Sequence, residues 1–213
     1  MPGPTEPVHA VTSSAVHPTD DPAAAELITA AVRTMAEKGY HGTSVRDIAG
    51  AAGVAVGSLY NYFGSKHGLL AVILNRGMDG LVETTESALL NAGTDPAERL
   101  RAIVGVHVRR HAESPLESLL GNSELRSLEP SAREVIVTKR DVQQRMFERV
   151  IADGVDRGSF HTTNPRETAR FIITACTAVA TWFRPDGPLT ADEITTRYQA
   201  VALDAAGFRG PRS

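Results

Sequence analysis

Residues 55–63, AVGSLYNYF, combine hydroxyl, amide and glycine residues at a spacing that would gather them on one side of a helix. Because an α-helix turns by about 100° per residue, Leu59 and Phe63 would share the inward side. The opposite side would carry hydroxyls, an amide and bare backbone, which are groups that contact phosphates and base edges. The residues on that side are Gly57, Ser58, Tyr60 and Asn61, flanked by Val56 and Tyr62.

The preceding stretch can hold that face in place. Thr43 or Ser44 can cap a helix whose inward residues follow at i, i+3, i+4 and i+7. Gly53 then supplies a turn, because glycine is free to take a positive φ. Two short helices, a glycine turn and a polar second helix are typical of a helix-turn-helix, in which Arg46 and Lys66 would stand near phosphates. The inward residues of the first helix would be Val45, Ile48, Ala49 and Ala52.

The charge of this region does not decide between DNA binding and a plain corner between two helices of a larger bundle. The whole chain has a net charge of −3, and residues 22–67 hold four cations against three carboxylates. Any DNA binding therefore depends on where individual groups lie rather than on a basic surface.

His107 and His111 form the other chemically suggestive pair, at the i, i+4 spacing of metal ligands. No third ligand follows at a recognised interval, so we predict no metal site and expect both rings to border a ligand cavity or a solvated face. The sequence contains no glycine-rich phosphate loop, serine elbow or paired catalytic carboxylates. We therefore predict no catalytic residues and no cofactor, with an enzyme as the weaker alternative.

The composition is that of an ordinary helical globular protein. Of the 213 residues, 5% are aromatic and 22% charged, and the single cysteine, Cys176, rules out an internal disulfide and suits a reducing cytoplasm. The longest apolar run, residues 171–183, is too short to span a bilayer. The N-terminus lacks the basic-then-apolar layout of a signal peptide. We expect a soluble, cytoplasmic protein that does not engage a membrane.

The chain is predicted to be all-α, because helical periodicity recurs along it and strand-type alternation does not. Start signals such as Asp95-Pro96 and the Thr190/Glu193 capping box give about nine helices. We predict a disordered arm over residues 1–20, a three-helix helix-turn-helix domain over 21–67, and a larger ligand-binding and dimerisation domain over 68–209.

Residues 39–74 resemble the N-terminal module of the tetracycline-repressor (TetR) family. The resemblance rests on Thr43, Ile48-Ala49, Ala52-Gly53-Val54, Gly57, Leu59-Tyr60, Phe63, Lys66 and Leu69-Leu70. It implies a transcriptional repressor that binds palindromic operator DNA as a homodimer and responds to a small molecule. Ala55 and Tyr62 depart from the residues usual at their positions, which blurs the operator preference. The DNA contacts implied are Thr43, Ser44, Val45, Arg46, Val56, Gly57, Ser58, Tyr60, Asn61, Tyr62 and Lys66.

The last two helices alternate small and bulky residues along their length. Small residues permit close approach of helices, and the resemblance implies that these two helices pair with their symmetry mates in a four-helix interface. An intramolecular core is the alternative. The residues concerned are Ala169, Phe171, Ile172, Ala175, Ala178, Val179, Ile194, Tyr198, Val201, Ala202 and Ala205.

Residues 181–194, TWFRPDGPLTADEI, resemble the corresponding segment of family members that respond to acyl-CoA thioesters. Trp182, Phe183 and Arg184 would then contact the adenine and phosphates of the head group, and the long helices would line the acyl chain. Ala178 and Thr181 depart from some of these relatives. The effector would be hydrophobic, with a fatty or sterol-derived acyl-CoA as one candidate. The alternatives are a drug- or metabolite-responsive repressor of an exporter gene and a helical scaffold whose helix-turn-helix is vestigial.

Overall fold

The computed structural model describes residues 13–209, and within that range the chain forms nine α-helices and one 3₁₀ turn, with no strand. The prediction of an all-α fold is confirmed. The helices are α1 (Pro22–Lys38), α2 (Val45–Ala51), α3 (Val56–Phe63), α4 (Lys66–Asn91), α5 (Pro96–Glu113), α6 (Pro115–Ser123), α7 (Pro130–Asp156), α8 (Pro165–Trp182) and α9 (Ala191–Ala206), with the 3₁₀ turn at Glu124–Ser127 after α6.

Local capping fixes where several of these helices begin. Asp21 lies immediately before Pro22, the first residue of α1, and its carboxylate accepts a hydrogen bond from the Ala23 N–H at 2.9 Å. Ser44 with Asp47 and Thr190 with Glu193 form reciprocal capping boxes at α2 and α9. Such caps satisfy backbone N–H groups that have no partner inside the helix.

Two apolar cores divide the described residues. The first joins α1, α2 and α3 to α6 and to the first turns of α4 and α7, and Leu27, Ile48, Leu59 and Leu69 are fully buried in it. The second joins α5, α7, α8 and α9. Helix α4 reaches both, because its first turns belong to the first core while Leu89 packs against the second. The predicted division at residue 67 falls at the start of this shared helix.

Residues 13–20 differ from the expected disordered arm. Ala15 is 1% exposed within the first core. The Asp20 carboxylate accepts two N–H bonds from the Arg76 guanidinium on α4, at 2.6 and 3.0 Å. The Ser14 backbone N–H donates to the Glu117 carboxylate on α6 at 2.9 Å. Ala15 and Val16 pack on the first core, and the hydrogen bonds of Ser14 and Asp20 join the segment to α6 and α4. The segment is too short to show a periodic pattern, so its sequence did not predict these contacts. Residues 1–12 of the predicted arm lie outside the described range.

None of the helices within residues 13–209 has both the length and the apolar character needed to cross a membrane.

Candidate nucleic-acid interface and ligand cavity

The α2–turn–α3 unit has the geometry predicted for a helix-turn-helix. Gly53 adopts φ +68° in the turn, and the Val54 N–H donates to the Ala49 carbonyl at 3.0 Å, which closes the end of α2. Leu59 is fully buried and anchors α3 on the first core. The opposite side of α3 faces solvent. Its exposed residues are Val56 (40% exposed), Gly57, Tyr60 (52%), Asn61 and Tyr62 (44%), with Ser58 half-buried.

The first turn of α3 leaves backbone N–H groups open. Its N-cap residue, Ala55, supplies no side-chain acceptor. A Cβ atom added to Gly57 would meet no atom within 4 Å, so nothing inside the described chain requires glycine there. Bare N–H groups at a helix N-terminus attract phosphate oxygens, and a glycine lets a nucleic-acid backbone approach them closely.

Thr43 does not belong to this open surface. It is 1% exposed, and its hydroxyl donates to the Gly39 carbonyl at 2.8 Å and the Thr34 carbonyl at 3.1 Å. The Thr43 hydroxyl closes the end of α1, so the predicted DNA contact of this residue is not offered by an exposed side chain.

Lys66 likewise makes its contacts within the helix-turn-helix domain. Its ammonium donates to the Thr43 carbonyl at 2.7 Å and the Tyr40 carbonyl at 2.9 Å, and it lies 4.2 Å from the centre of the Tyr40 ring. Two of its three N–H bonds are thus committed, which differs from the open phosphate contact expected. The sequence gave no sign of this contact, because Thr43 and Lys66 lie 23 residues apart.

The residues at the start of α2 are better placed to contact DNA. Ser44 is exposed but shares its hydroxyl with Asp47, at 2.5 Å. That hydrogen bond is the main reason that the pKa of Asp47 falls to about 2. Val45 is half-buried, whereas Arg46 is exposed and forms no ion pair with any residue from 13 to 209. On α3, the Asp21 carboxylate beside the Tyr62 hydroxyl raises the pKa of that phenol.

A cavity of about 620 Å³ lies between α4, α5, α6, α7 and α8. That volume falls within the range of small-molecule sites, roughly 300–1,000 Å³. Its apolar lining consists of Ile73, Leu74, Met78, Leu81, Ile136 and Ile173. The exposed members of its lining, which mark its openings, are Asn122, Asp141, Arg170, Thr174 and Thr181.

Two arginines, Arg110 and Arg140, line the cavity together with two carboxylates, Glu117 and Asp141. Arg110 and Arg140 are half-buried, and neither forms an ion pair with another residue between 13 and 209. Burial lowers the pKa of both guanidinium groups, although at Arg110 the Glu117 carboxylate acts in the opposite direction. The Arg140 guanidinium donates to the Gly121 carbonyl at 2.6 Å. Because neither half-buried guanidinium group has a carboxylate of the described chain within ion-pair distance, an anionic occupant that contacts them would be stabilised.

His107 and His111 border this cavity rather than a solvated face. They are 2% and 7% exposed, and their rings stack with centroids 4.5 Å apart. His107 Nε2 lies 2.9 Å from the Thr177 hydroxyl, and His111 Nδ1 lies 2.8 Å from the His107 carbonyl. Burial lowers the pKa of both, and that of His107 lies well below its usual value. No cluster of three metal-ligand side chains forms anywhere in the described chain.

None of the three predicted ligand contacts reaches the cavity. Phe183 is 9% exposed and belongs to the second core. Trp182 is 47% exposed and stacks on Tyr198, with ring centroids 6.3 Å apart. Arg184 is exposed beyond the end of α8. The sequence did contain one usable signal for the real lining, because Arg110 follows His107 by three residues and so shares its helix face.

Residues 93–206 match the family described as tetracyclin repressor-like, C-terminal domain, and residues 27–73 match the bacterial regulatory proteins of the tetR family. The chain belongs to the TetR family. It is therefore a transcriptional repressor. The proteins of this family are DNA-binding regulators rather than enzymes. The resemblance found in residues 39–74 is confirmed.

Individual TetR proteins are similar over most of their length. The HTH-type transcriptional repressor KstR2 of Mycobacterium tuberculosis is 30% identical over 180 residues, covering 84% of this chain and 90% of that protein. A tetR-family regulatory protein from Rhodococcus RHA1 has a TM-score of 0.83 at 28% identity, covering 89% of this chain and all of that one. AibR, solved in complex with isovaleryl coenzyme A and operator DNA, has a TM-score of 0.77 at 25% identity over 89% of this chain and all of its own.

Proposed function

We propose that this TetR protein represses transcription by binding an inverted-repeat operator as a homodimer, and that an anionic, largely apolar effector in the cavity releases it. The observation that carries the proposal is the pair Arg110 and Arg140, which line a cavity with a substantial apolar wall and form no ion pair with a described residue. The same chain presents an exposed polar helix that suits a DNA groove.

The DNA contacts proposed are those that the geometry leaves open. The backbone at the start of α3 would meet a phosphate, and Tyr60 and Asn61 would face the groove. Arg46 and Ser44 would contact the adjoining backbone or a base edge. Val56, Gly57, Ser58 and Tyr62 complete the surface, while Val45 supports it from the half-buried side of α2.

A homodimer is supported by an exposed apolar face on α8 and α9. Phe171 and Trp182 are 60% and 47% exposed on α8, and Val201 is 55% exposed on α9. Phe171, Ala175, Ala178 and Trp182 follow at i, i+4, i+7 and i+11, which forms one stripe along α8. A two-fold dimer through this face would present two α3 helices to an operator with matching symmetry.

A fatty or sterol-derived acyl-CoA remains the effector that best fits the cavity. The apolar lining suits an acyl group, and the arginines Arg110 and Arg140, with exposed Arg170 at an opening, suit phosphates. KstR2 is described as a ketosteroid transcriptional regulator, and AibR was solved with isovaleryl coenzyme A. A cationic drug, the effector expected for an exporter repressor, would meet like charge at Arg110 and Arg140.

Operator binding measured by fluorescence anisotropy tests this proposal. The protein is titrated onto its own promoter region and onto scrambled DNA at ~150 mM salt, where non-specific dissociation constants are about 10⁻⁴–10⁻⁶ M. We expect tight binding to the promoter and release by an acyl-CoA series, with weaker release by the free acids and none by cationic drugs. Arg140→Gln should raise the acyl-CoA concentration needed for release while leaving operator affinity unchanged. If a cationic drug released the DNA and no acyl-CoA did, the protein would instead be a drug-responsive repressor of an exporter gene.

A further inference from the structure

A row of four hydrogen-bonded side chains crosses from α4 through α7 and α5 to α8 beside the cavity. The Thr85 hydroxyl donates to the Leu81 carbonyl at 2.7 Å, so its oxygen is free to accept the Gln143 amide N–H at 2.9 Å. The same amide nitrogen lies 3.4 Å from His107 Nδ1. His107 Nε2 in turn lies 2.9 Å from the Thr177 hydroxyl oxygen.

The direction of this row follows from what each group can donate. An amide nitrogen only donates, so the facing His107 Nδ1 is assigned as an acceptor. In a neutral imidazole the other nitrogen then carries the proton, and Nε2–H donates to Thr177. The Thr177 oxygen is thereby an acceptor, and its own O–H remains to be donated elsewhere.

Thr177 is the member of the row that can reach a ligand. Thr85, Gln143 and His107 are each at most 3% exposed, whereas Thr177 is half-buried and lines the cavity. Other helical threonines here, such as Thr181, donate their hydroxyl to a carbonyl of their own helix. Within the described residues, the hydroxyl of Thr177 forms no hydrogen bond except the one with His107.

The row also lowers the stability of the fold, because it includes a buried polar atom without a partner among the described residues, and this argues against a purely structural role. The Gln143 carbonyl oxygen is buried with no hydrogen-bond partner in the described chain. An unpaired buried polar atom is unfavourable, and an apolar side chain at this position would avoid it. What the glutamine provides is the amide N–H that sets the proton position on His107.

We infer that the row Thr85–Gln143–His107–Thr177 recognises a carbonyl oxygen on the part of the effector that lies inside the cavity. This rests on the proposal that the cavity holds an acyl-CoA effector, and it narrows that class to acyl groups with an oxo substituent. The Thr177 O–H donates to the oxo oxygen, whereas a plain alkyl chain leaves that donor unpaired. A site built to pair a polar group discriminates strongly against an analogue that lacks it.

Calorimetric titration with matched thioesters tests the inference. The probes are decanoyl-CoA and a set of oxodecanoyl-CoA isomers that carry the oxo group at successive carbons. Wild-type protein should bind at least one isomer about tenfold more tightly than decanoyl-CoA. Thr177→Val should abolish that preference while binding decanoyl-CoA at least as well, and Thr177→Ser should retain the preference. Gln143→Leu should reduce it, because the proton position on His107 is no longer fixed.

Thr174→Val is the matched control, since Thr174 is exposed at an opening of the cavity on the same helix. It should leave the preference unchanged. Equal binding of all thioesters by the wild type, or a preference that survives Thr177→Val, would overturn the inference and leave the acyl-CoA proposal standing. If no thioester binds the wild type, the proposed effector class itself fails, and the inference fails with it.

Discussion

At the scale of single residues, Lys66 and Arg46 have different roles although both were expected to contact DNA. The Lys66 ammonium joins the Tyr40 and Thr43 carbonyls to the start of α4. Lys66→Ala should therefore lower the free energy of unfolding by about 1–3 kcal/mol, since two carbonyls lose a charged partner. Arg46→Ala should leave stability within about 0.5 kcal/mol and reduce the salt slope of operator binding by about one.

Urea unfolding and salt-dependent operator binding of both variants separate these roles. A Lys66→Met variant, which keeps the aliphatic stem, serves as the control for lost packing and should be nearly as unstable as Lys66→Ala. A stable Lys66→Ala protein whose salt slope drops by one would return Lys66 to the set of phosphate contacts.

Two residues in the cavity wall should make stability depend on pH. Burial lowers the pKa of His107 well below its ordinary value and also lowers that of His111. Because the unfolded chain binds protons at these rings below about pH 6.5 and the folded chain does not, stability falls as the pH drops below that value. The slope is at most about 1.4 kcal/mol per pH unit for each ring.

Urea unfolding between pH 7.5 and 5 should show this loss, and His107→Gln or His111→Gln should reduce the slope. His161→Gln, which removes an exposed histidine, is the matched control for the substitution itself. Asp47 does not interfere, because its pKa of about 2 confines its effect to pH values below about 4. A slope that is the same in all four proteins would contradict the assignment.

At the scale of elements, residues 13–20 are predicted to stabilise the packing of α1 against α4 and α6. The Arg76 guanidinium holds the Asp20 carboxylate and also donates to the Ala15 carbonyl at 3.2 Å. Asp20→Asn should lower the free energy of unfolding by about 1–3 kcal/mol, since hydrogen bonds between charged groups are lost at a largely buried carboxylate. Lys38→Ala, which breaks an exposed ion pair with Asp47, should cost less than about 1 kcal/mol.

Thermal unfolding and limited proteolysis near the N-terminus measure the two variants. We expect Asp20→Asn to expose the segment to cleavage and to lower the melting temperature more than Lys38→Ala does. Equal effects of the two substitutions would mean that the segment contributes no more than an ordinary surface contact.

How much the sequence could predict also depends on the element. Helix ends at Asp21-Pro22, Asp95-Pro96 and Thr190/Glu193 were predictable because a cap and its N–H partners lie within three residues of each other. The α3 face was predictable because Leu59 and Phe63, four residues apart, mark the inward side of a helix and so fix which residues lie opposite. The cavity was not, because five helices separated by up to about a hundred residues must pack before Arg110 and Arg140 face one space.

At the scale of the whole molecule, the exposed apolar face on α8 and α9 is predicted to decide operator binding without touching DNA. Phe171 and Val201 are 60% and 55% exposed, and large apolar side chains at such exposure on adjacent helices are typical of a subunit interface. Placing a charge there would leave an unpaired carboxylate buried between two subunits, which opposes association.

Phe171→Glu and Val201→Glu should therefore each convert the dimer to a monomer in sedimentation experiments at micromolar concentration. Operator affinity should fall toward the non-specific level, because one α3 helix then reads one half-site alone. Leu90→Glu, at an 84% exposed position near the end of α4, is the control and should change neither property. A Phe171→Glu protein that still sediments as a dimer would place the subunit interface elsewhere. A monomer with unchanged operator affinity would show instead that the two-fold arrangement is not needed for recognition.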